Sequence, residues 1–197
     1  TEILMADGIS YAPVNEFTRR EWLYYLRALN GLRMDDYSGW RSWHDYMQAM
    51  EGRSVQNFAA HVPYANVRSM ACGFGRSAVD DFQMREIRAV IDQAMQQGAV
   101  GLSTGLDYIV QCFSSTEELI AACAPLQPFN GLYVSHIRYK TGFLPALREA
   151  FEIGKRAEVP VHISHLKAIS RPQAEQVQYI VQVVAIRAHR AADQAVG

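Results

Sequence analysis

Two histidines end predicted strands at positions that suit metal binding. His136 closes an apolar run at 132–136, and His165 closes another at 159–165, 29 residues further along the chain. A β-α-β step has about this length, so both side chains would lie at the same end of neighbouring parallel strands. Neutral imidazole is a good zinc ligand, and Asp7, after another predicted strand, would add a carboxylate. A zinc ion with an open coordination position lowers the pKa of bound water toward about 7, which is the chemistry of metal-dependent hydrolysis.

Each of these residues also has a structural interpretation. A single histidine at a strand end is more often a hydrogen-bonded structural residue. Asp7 precedes Gly8, and an Asp-Gly pair is typical of a turn. In the last predicted strand, His162 and Ser164 share one face and His165 lies on the other, so the two histidines should not both face the barrel axis. The spacing alone leaves metal binding and structural roles both open.

Alternating strands and helices have to position these side chains. The predicted strands cover 1–6, 55–61, 99–103, 132–136 and 159–165, and the predicted helices cover 17–29, 40–50, 78–97, 115–126, 144–157 and 174–192. The alternation is typical of a parallel α/β sheet, and the near-continuous apolar strands indicate burial on both faces. A complete (β/α)₈ barrel takes roughly 250 residues, so about five β/α units predict a partial barrel of this TIM type. Since no linker interrupts the chain, 1–197 is predicted to form one domain.

The composition argues against several classes of partner. The net charge of −1 offers no attraction for nucleic acid or an anionic membrane. No apolar run approaches 18 residues, and the first residues lack the features of a signal peptide. The three cysteines, Cys72, Cys112 and Cys123, show no metal-finger or pairing pattern, which favours a reducing, cytoplasmic location. Because the chain starts at Thr1 rather than Met, we expect a fragment of a longer protein.

Four stretches carry recognisable motifs: GAVGLSTGLDY at 98–108, STEELI at 115–120, YVSHIR at 133–138 and VPVHISHLKA at 159–168. They resemble motifs of the N-acyl-D-amino-acid deacylases, or D-aminoacylases, of the amidohydrolase superfamily. They occur in the order of the family and with similar spacing. The likeness covers about 1–168 and ends there, so 171–197 departs from the family pattern.

The resemblance implies a (β/α)₈ barrel that hydrolyses the amide bond of small-molecule N-acyl-D-amino acids with a metal-bound hydroxide. By position, His136 and His165 correspond to two zinc-binding histidines, for one or two divalent ions. Tyr108, Arg138 and Lys167 correspond to residues of the substrate pocket, where a cation or a phenol would hold the substrate carboxylate or the scissile carbonyl.

The start of the chain resembles the family in a modified form. ADGISYAPV at 6–14 is similar to the family segment NCGxSxAPV, in which the cysteine is a metal ligand. Asp7 stands at the cysteine position, and a carboxylate binds zinc at about 2.0–2.2 Å against about 2.3 Å for a thiolate. The exchange makes the predicted site harder, which would favour a different metal or a second ion.

Two parts of the superfamily's site have no counterpart in 1–197, the first-strand His-x-His pair and the last-strand catalytic Asp. We therefore assign no catalytic residue and keep three hypotheses. The first is a deacylase or a truncated relative, and the second is a cyclic amidase of the dihydroorotase or hydantoinase type. The third is a non-catalytic partial barrel that self-associates into a homo-oligomer through two exposed sheet edges.

Overall fold

The strands pair in parallel throughout the first 164 residues. The chain divides after Ser164 into two units, Thr1–Ser164 and His165–Gly197, and the elements below belong to the first. A two-stranded sheet pairs β1 (Glu2–Leu4) with β2 (Phe58–Ala60), and a second sheet has the order β3 (Val62–Pro63), β4 (Gly101–Gly105), β5 (Leu132–His136) and β6 (Val161–Ile163). Only His61 separates β2 from β3, so one continuous stretch of chain takes part in both sheets. The structure, a computed structural model, describes residues 1–167, 170–175, 177 and 178.

Within residues 1–164, six α-helices accompany these strands. They are α1 (Arg19–Asn30), α2 (Trp43–Met50), α3 (Tyr64–Cys72), α4 (Asp81–Gln96), α5 (Thr116–Cys123) and α6 (Phe143–Ala157). Three of them begin where the sequence offers a capping side chain. Ser42, Asp80 and Ser115 each accept a hydrogen bond from the backbone N–H three residues later. Such caps satisfy donors that the first helical turn leaves unpaired.

The main apolar core lies between the strands and the helices that cover one face of the sheet. Leu102 on β4 and Tyr133 on β5 are fully buried there, together with Ile87 and Ile91 on α4 and Leu119 on α5. Ile87 and Ile91 are four residues apart, which places both side chains on the sheet-facing side of α4. Each buried Ile or Leu contributes about 1.5–3 kcal/mol relative to an exposed one.

The predicted parallel α/β arrangement of a partial barrel is confirmed, and β1 and β6 each pair on one side only among the described residues. The strand predicted at 159–165 is shorter and ends at Ile163. The helix predicted at 115–126 ends at Cys123, where a 3-10 helix with two prolines, Ala124–Phe129, takes over. The helix predicted at 174–192 lies mostly outside the described residues.

The sequence pattern did not predict α3 because this helix buries polar residues. The Nε of Arg68 donates a hydrogen bond of 2.8 Å to Glu118 on α5, and the Tyr64 hydroxyl donates one of 2.5 Å to the same carboxylate oxygen. The two side chains of the ion pair are 0% and 6% exposed. A buried charge is tolerated only when it is paired in this way, so the contact explains an arginine where an apolar residue is expected.

His61, between β2 and β3, is a second polar residue in the interior. Its backbone N–H donates to Leu4 and its carbonyl accepts from the Trp43 indole, so the backbone ties β1 and α2 to this point of the sheet. The imidazole is 4% exposed. Burial lowers the pKa of His61 from 6.5 to about 4, and the charge of His162 on β6 contributes less.

The depressed pKa of His61 predicts an acid-sensitive fold. Between about pH 6.5 and about pH 4 the unfolded chain binds a proton at this residue that the folded chain does not bind. The free energy of unfolding should therefore fall as the pH decreases through this window, by up to about 3 kcal/mol. Urea unfolding at several pH values measures the effect. His61→Leu should lose this part of the pH dependence and His44→Leu should keep it, whereas an unchanged profile in His61→Leu would contradict the assignment.

Candidate metal centre

The register between β4 and β5 brings two chain segments to one edge of the sheet. Gly105 lies opposite His136, the last residues of the two strands, and the N–H of Leu106 donates to the carbonyl of His136 at 2.9 Å. The carboxyl ends of parallel strands carry the functional residues in folds of this type. The turn that follows β1, residues 5–8, packs against the ends of both strands and carries Asp7.

Backbone hydrogen bonds hold the 5–8 turn in an uncommon conformation. Met5 and Asp7 both have left-handed backbone angles, with φ of 63° and 60°. The Ser103 hydroxyl accepts from the N–H of Gly8 at 3.1 Å and donates to the carbonyl of Met5 at 2.5 Å. The side-chain amide of Gln111 donates to the carbonyl of Asp7 at 2.9 Å. Aspartate tolerates the left-handed region better than most residues, so this sequence suits the turn.

Two glycines allow the turn to approach the strand ends. Gly8 has a φ of 72°, and a Cβ at this position would lie 2.8 Å from the Cα of Thr104. A Cβ on Gly105 would collide with the carbonyl oxygen of Asp7 and the ring of Tyr108. The absence of side chains at these two positions therefore sets how close Asp7 comes to β4 and β5.

His136 is buried among polar and aromatic groups at this edge. Its ring centroid lies 4.8 Å from that of Tyr108 and 5.3 Å from that of Tyr139. The Tyr108 hydroxyl is 3.4 Å from Nδ1, and Oδ2 of Asp107 is 3.4 Å from Nε2, both at the long end of the hydrogen-bond range. Metal-ligating atoms of Asp7 and His136 lie within 4.8 Å of each other.

These two side chains fit a divalent cation. Zinc binds a histidine nitrogen at about 2.0–2.1 Å and a carboxylate oxygen at about 2.0–2.2 Å, so two ligands of one ion stand about 3–4 Å apart. Asp7 and His136 need only small side-chain adjustments to reach that separation. A hard oxygen donor combined with imidazole suits zinc and other first-row divalent ions.

A cavity of about 580 Å³ opens beside this group. Asp7 and Tyr108 line one part of it, and most of the remaining wall is apolar or aromatic, including Leu26, Leu29 and Tyr46. Among the described residues that line the cavity, Asp7 alone carries a charge. An apolar pocket with a few polar groups at one end is the usual form of a small-molecule site.

The sequence of this chain is similar to those of two bacterial deacylases. No family model matches the chain. The chain is 34% identical over 167 residues to a D-aminoacylase of Alcaligenes xylosoxydans xylosoxydans, a match that covers 84% of the chain and 33% of the relative. It is 31% identical over 163 residues to an N-acyl-D-aspartate deacylase of the same organism, covering 81% of the chain and 32% of the relative.

Solved structures of D-aminoacylases share the fold of this chain. A D-aminoacylase described as defining a novel subset of amidohydrolases superposes with a TM-score of 0.76 at 26% identity. A second D-aminoacylase structure, concerned with a binuclear metal centre, superposes with a TM-score of 0.75 at 27% identity. Each match covers 94% of this chain and 39% of the other. The chain belongs to the N-acyl-D-amino-acid deacylase family. It spans about a third of the length of the curated relatives that it matches.

The deacylase resemblance proposed from the four motifs is thereby confirmed, while the roles of single residues stay predictions. Arg138 donates to the carbonyls of Cys112 and Ser114 at 2.7 and 2.8 Å and pairs with Glu149 at 3.1 Å. Burial raises the pKa of Tyr108, and the charges of Asp7 and Asp107 add to this rise. Tyr108 therefore keeps its phenolic proton at neutral pH.

His165 and Lys167, the other two predicted site residues, belong to the second unit and are exposed. His165 comes one peptide bond after Ser164, whose N–H donates to the carbonyl of Ser135 at 2.9 Å. No helix in the described part of the chain has the length and apolar character needed to cross a membrane.

Sequence reasoning missed three residues that shape this edge of the sheet: Ser103, Asp107 and Gln111. Ser103 is the last residue of the strand predicted at 99–103, and Asp107 lies in the 98–108 motif with no role assigned to it. The position of Asp107, two residues beyond β4, was the available indication, because loops after strands carry functional groups in such folds. Gln111 gave no indication, since its contact with Asp7 joins residues 104 positions apart.

Gly105→Ala tests how tightly the 5–8 turn packs on β4. The added methyl group meets the carbonyl of Asp7, so the free energy of unfolding should fall by about 1–3 kcal/mol. Urea unfolding measures the change. Gly75→Ala is the matched control, because a Cβ there has no heavy atom within 4 Å among its described neighbours, and it should shift stability by less than about 0.5 kcal/mol. Equal effects of the two substitutions would contradict the close approach.

Proposed function

We propose that this chain carries metal-binding and substrate-binding residues of a barrel that hydrolyses the amide bond of N-acyl-D-amino acids. The observation that carries the proposal is the meeting of Asp7 and the buried His136 at the strand ends, in a chain of the deacylase family. Because the chain spans about a third of its curated relatives, hydrolysis is proposed for the complete barrel and metal binding for this chain.

Asp7, His136 and His165 are the proposed ligands of a divalent cation, with zinc as the first candidate. A zinc ion bound there would supply Lewis acidity, polarising the amide carbonyl and lowering the pKa of a water ligand. One or two ions are compatible with this set, and one of the similar structures concerns a binuclear metal centre in a D-aminoacylase. Asp7 supports a second ion because a carboxylate has two oxygens to share.

The cavity beside Asp7 and Tyr108 is the proposed pocket for the apolar part of the substrate. Its walls would exclude water from an acyl chain or an aliphatic side chain. Tyr108 lines the cavity, and its hydroxyl would donate a hydrogen bond to the substrate carbonyl as negative charge develops on the carbonyl oxygen. Arg138 and Lys167 stay the proposed partners of the substrate carboxylate, and for Arg138 this would require a rearrangement of its bonds to Glu149.

Two other interpretations rest on particular observations. Asp7 in place of the cysteine implied by the family motif adds a hard oxygen ligand, which is the basis for the alternative of a cyclic amidase. Among the described residues, β1 and β6 each pair on one side only. This is the basis for the alternative of self-association, because unpaired strand edges bind other strands. A cytoplasmic location is also proposed, since none of the three cysteines is in a disulfide.

Metal binding gives the first test. Near-stoichiometric zinc is expected after equilibration and removal of excess metal, and Asp7→Ala and His136→Ala should each weaken binding at least about tenfold. His44→Ala, on α2 and outside the proposed site, should not. Asp7→Cys should restore a thiolate ligand, seen as a new near-ultraviolet thiolate-to-cobalt absorption when cobalt replaces zinc. A folded protein that binds no zinc, or an Asp7→Cys protein without this absorption, would contradict the proposed ligand set.

The substrate class gives a separate test. With the zinc-loaded complete barrel that contains this chain, we expect N-acetyl-D-leucine to be hydrolysed faster than N-acetyl-D-aspartate, because the cavity offers an apolar wall and no cation among its described lining residues. Leu26→Lys should narrow or reverse this preference, whereas Phe82→Lys, on the exposed face of α4, should not. Hydrolysis of dihydroorotate alone would favour the cyclic amidase. An oligomer without either activity would favour the non-catalytic partial barrel.

A further inference from the structure

The two ring nitrogens of His136 face groups of different hydrogen-bonding character. Nε2 lies 3.4 Å from a carboxylate oxygen of Asp107, and Nδ1 lies 3.4 Å from the hydroxyl of Tyr108. A carboxylate only accepts hydrogen bonds, whereas a phenol can donate one. The tautomer with its proton on Nε2 satisfies both partners and leaves the lone pair on Nδ1.

The nitrogen with the lone pair is the one that meets Tyr108. Tyr108 lines the cavity together with Asp7, so Nδ1 contacts a residue of the cavity wall. Asp107 lies at the other ring nitrogen, Nε2. A metal ion that bound His136 at Nδ1 would take the place of the Tyr108 hydroxyl there and would need no change of tautomer.

The carboxylate of Asp107 is itself held in place. Its second oxygen, Oδ1, accepts from the backbone N–H of Lys140 at 3.3 Å, and its backbone carbonyl accepts from the Lys140 ammonium at 3.1 Å. The Asp107 side chain is 14% exposed. Asp107 thus connects the loop after β4 to the loop after β5, in contact with the histidine that ends β5.

We propose that Asp107 is a positioning residue of the metal centre, which accepts a hydrogen bond from Nε2 of His136 and thereby presents Nδ1 to the ion. The proposal rests on the proposed function in that it takes His136 as a ligand. A carboxylate behind a ligating histidine fixes the ring orientation and makes the ligating nitrogen more basic. Losing such a partner typically weakens metal binding about 10–100-fold.

A purely structural role makes a different prediction. If Asp107 only joins the two loops, its contacts with Lys140 stabilise the loops and have no effect on the tautomer of His136. Lys140→Ala removes the ammonium and keeps the Asp107 carboxylate beside His136. Asp107→Ala removes the carboxylate from His136 and from the Lys140 backbone N–H but keeps the carbonyl that accepts from the ammonium, and Asp107→Glu restores a carboxylate. A tautomer that changes in Asp107→Ala but not in Lys140→Ala therefore depends on the carboxylate and not on the ammonium contact.

The tautomer of His136 is the first measurement. Two-bond ¹⁵N–¹H correlation spectra of the metal-free protein, labelled at histidine, distinguish protonation at Nε2 from protonation at Nδ1. His136→Gln assigns the signals. We expect the Nε2–H form in the wild type and in Lys140→Ala, loss of that preference in Asp107→Ala, and its recovery in Asp107→Glu. A wild-type protein with the proton on Nδ1 would overturn the proposal even if every variant failed to fold.

Zinc affinity is the second measurement, by competition with a chromophoric chelator. Asp107→Ala should bind zinc about 10–100-fold more weakly than the wild type, while Lys140→Ala binds it equally well. Circular dichroism establishes that the variants are folded. Unchanged tautomer and unchanged affinity in a folded Asp107→Ala protein would overturn the role of Asp107. Absence of zinc binding in the wild type would instead contradict the proposed function, and the tautomer would still decide whether Asp107 orients the ring.

Discussion

The hydrogen-bonded register between β4 and β5 is the constraint on which the candidate site depends. Neighbouring residues of a strand point to opposite faces, so a slip of one residue would move His136 away from the 5–8 turn. A buried polar contact holds the register on the other face of the same strands. The Thr104 hydroxyl lies 2.9 Å from the hydroxyls of both Tyr133 and Ser135. A slip would leave these buried groups without partners, at a cost of about 1–3 kcal/mol for each group.

The 5–8 turn shows how a local cost is offset by contacts with distant residues. Left-handed backbone angles at Met5 and Asp7 are unfavourable, and they persist only when the surroundings enforce them. Ser103 and Gln111 supply that enforcement through three hydrogen bonds to the turn. Both residues come from β4 and the segment after it. β4 sets the position of His136 through its register with β5. Together with the segment that follows it, β4 also sets the position of Asp7.

The sequence predicted those parts of the molecule that depend on local periodicity. Strand ends at His136 and near Ala60, and the helices with clear apolar faces, follow directly from residue spacing. Helix α3 was missed because Arg68 is buried by a charge partner 50 positions away, which no local pattern reveals. The proposed role of Asp107 was missed for the same reason, since it depends on a contact with a ring nitrogen of His136, 29 positions away. The sequence pattern therefore does not predict tertiary contacts between polar residues.

The charges around His136 favour the proposed divalent cation at this edge of the sheet. Asp7 and Asp107 bring two carboxylates to the neighbourhood of the ring. The Arg138 guanidinium is engaged with Glu149 and two carbonyls, so its charge is already balanced. The Lys140 ammonium donates to the carbonyl of Asp107, which places its charge on the Asp107 side of the ring. An anion approaching Asp7 would meet like charge, and a doubly charged ion in the proposed site would turn that repulsion into attraction. In the proposed site the Asp7 carboxylate would preserve this balance, because it carries the same single negative charge as the thiolate that the family resemblance implies, while its harder oxygen would alter which ion is preferred.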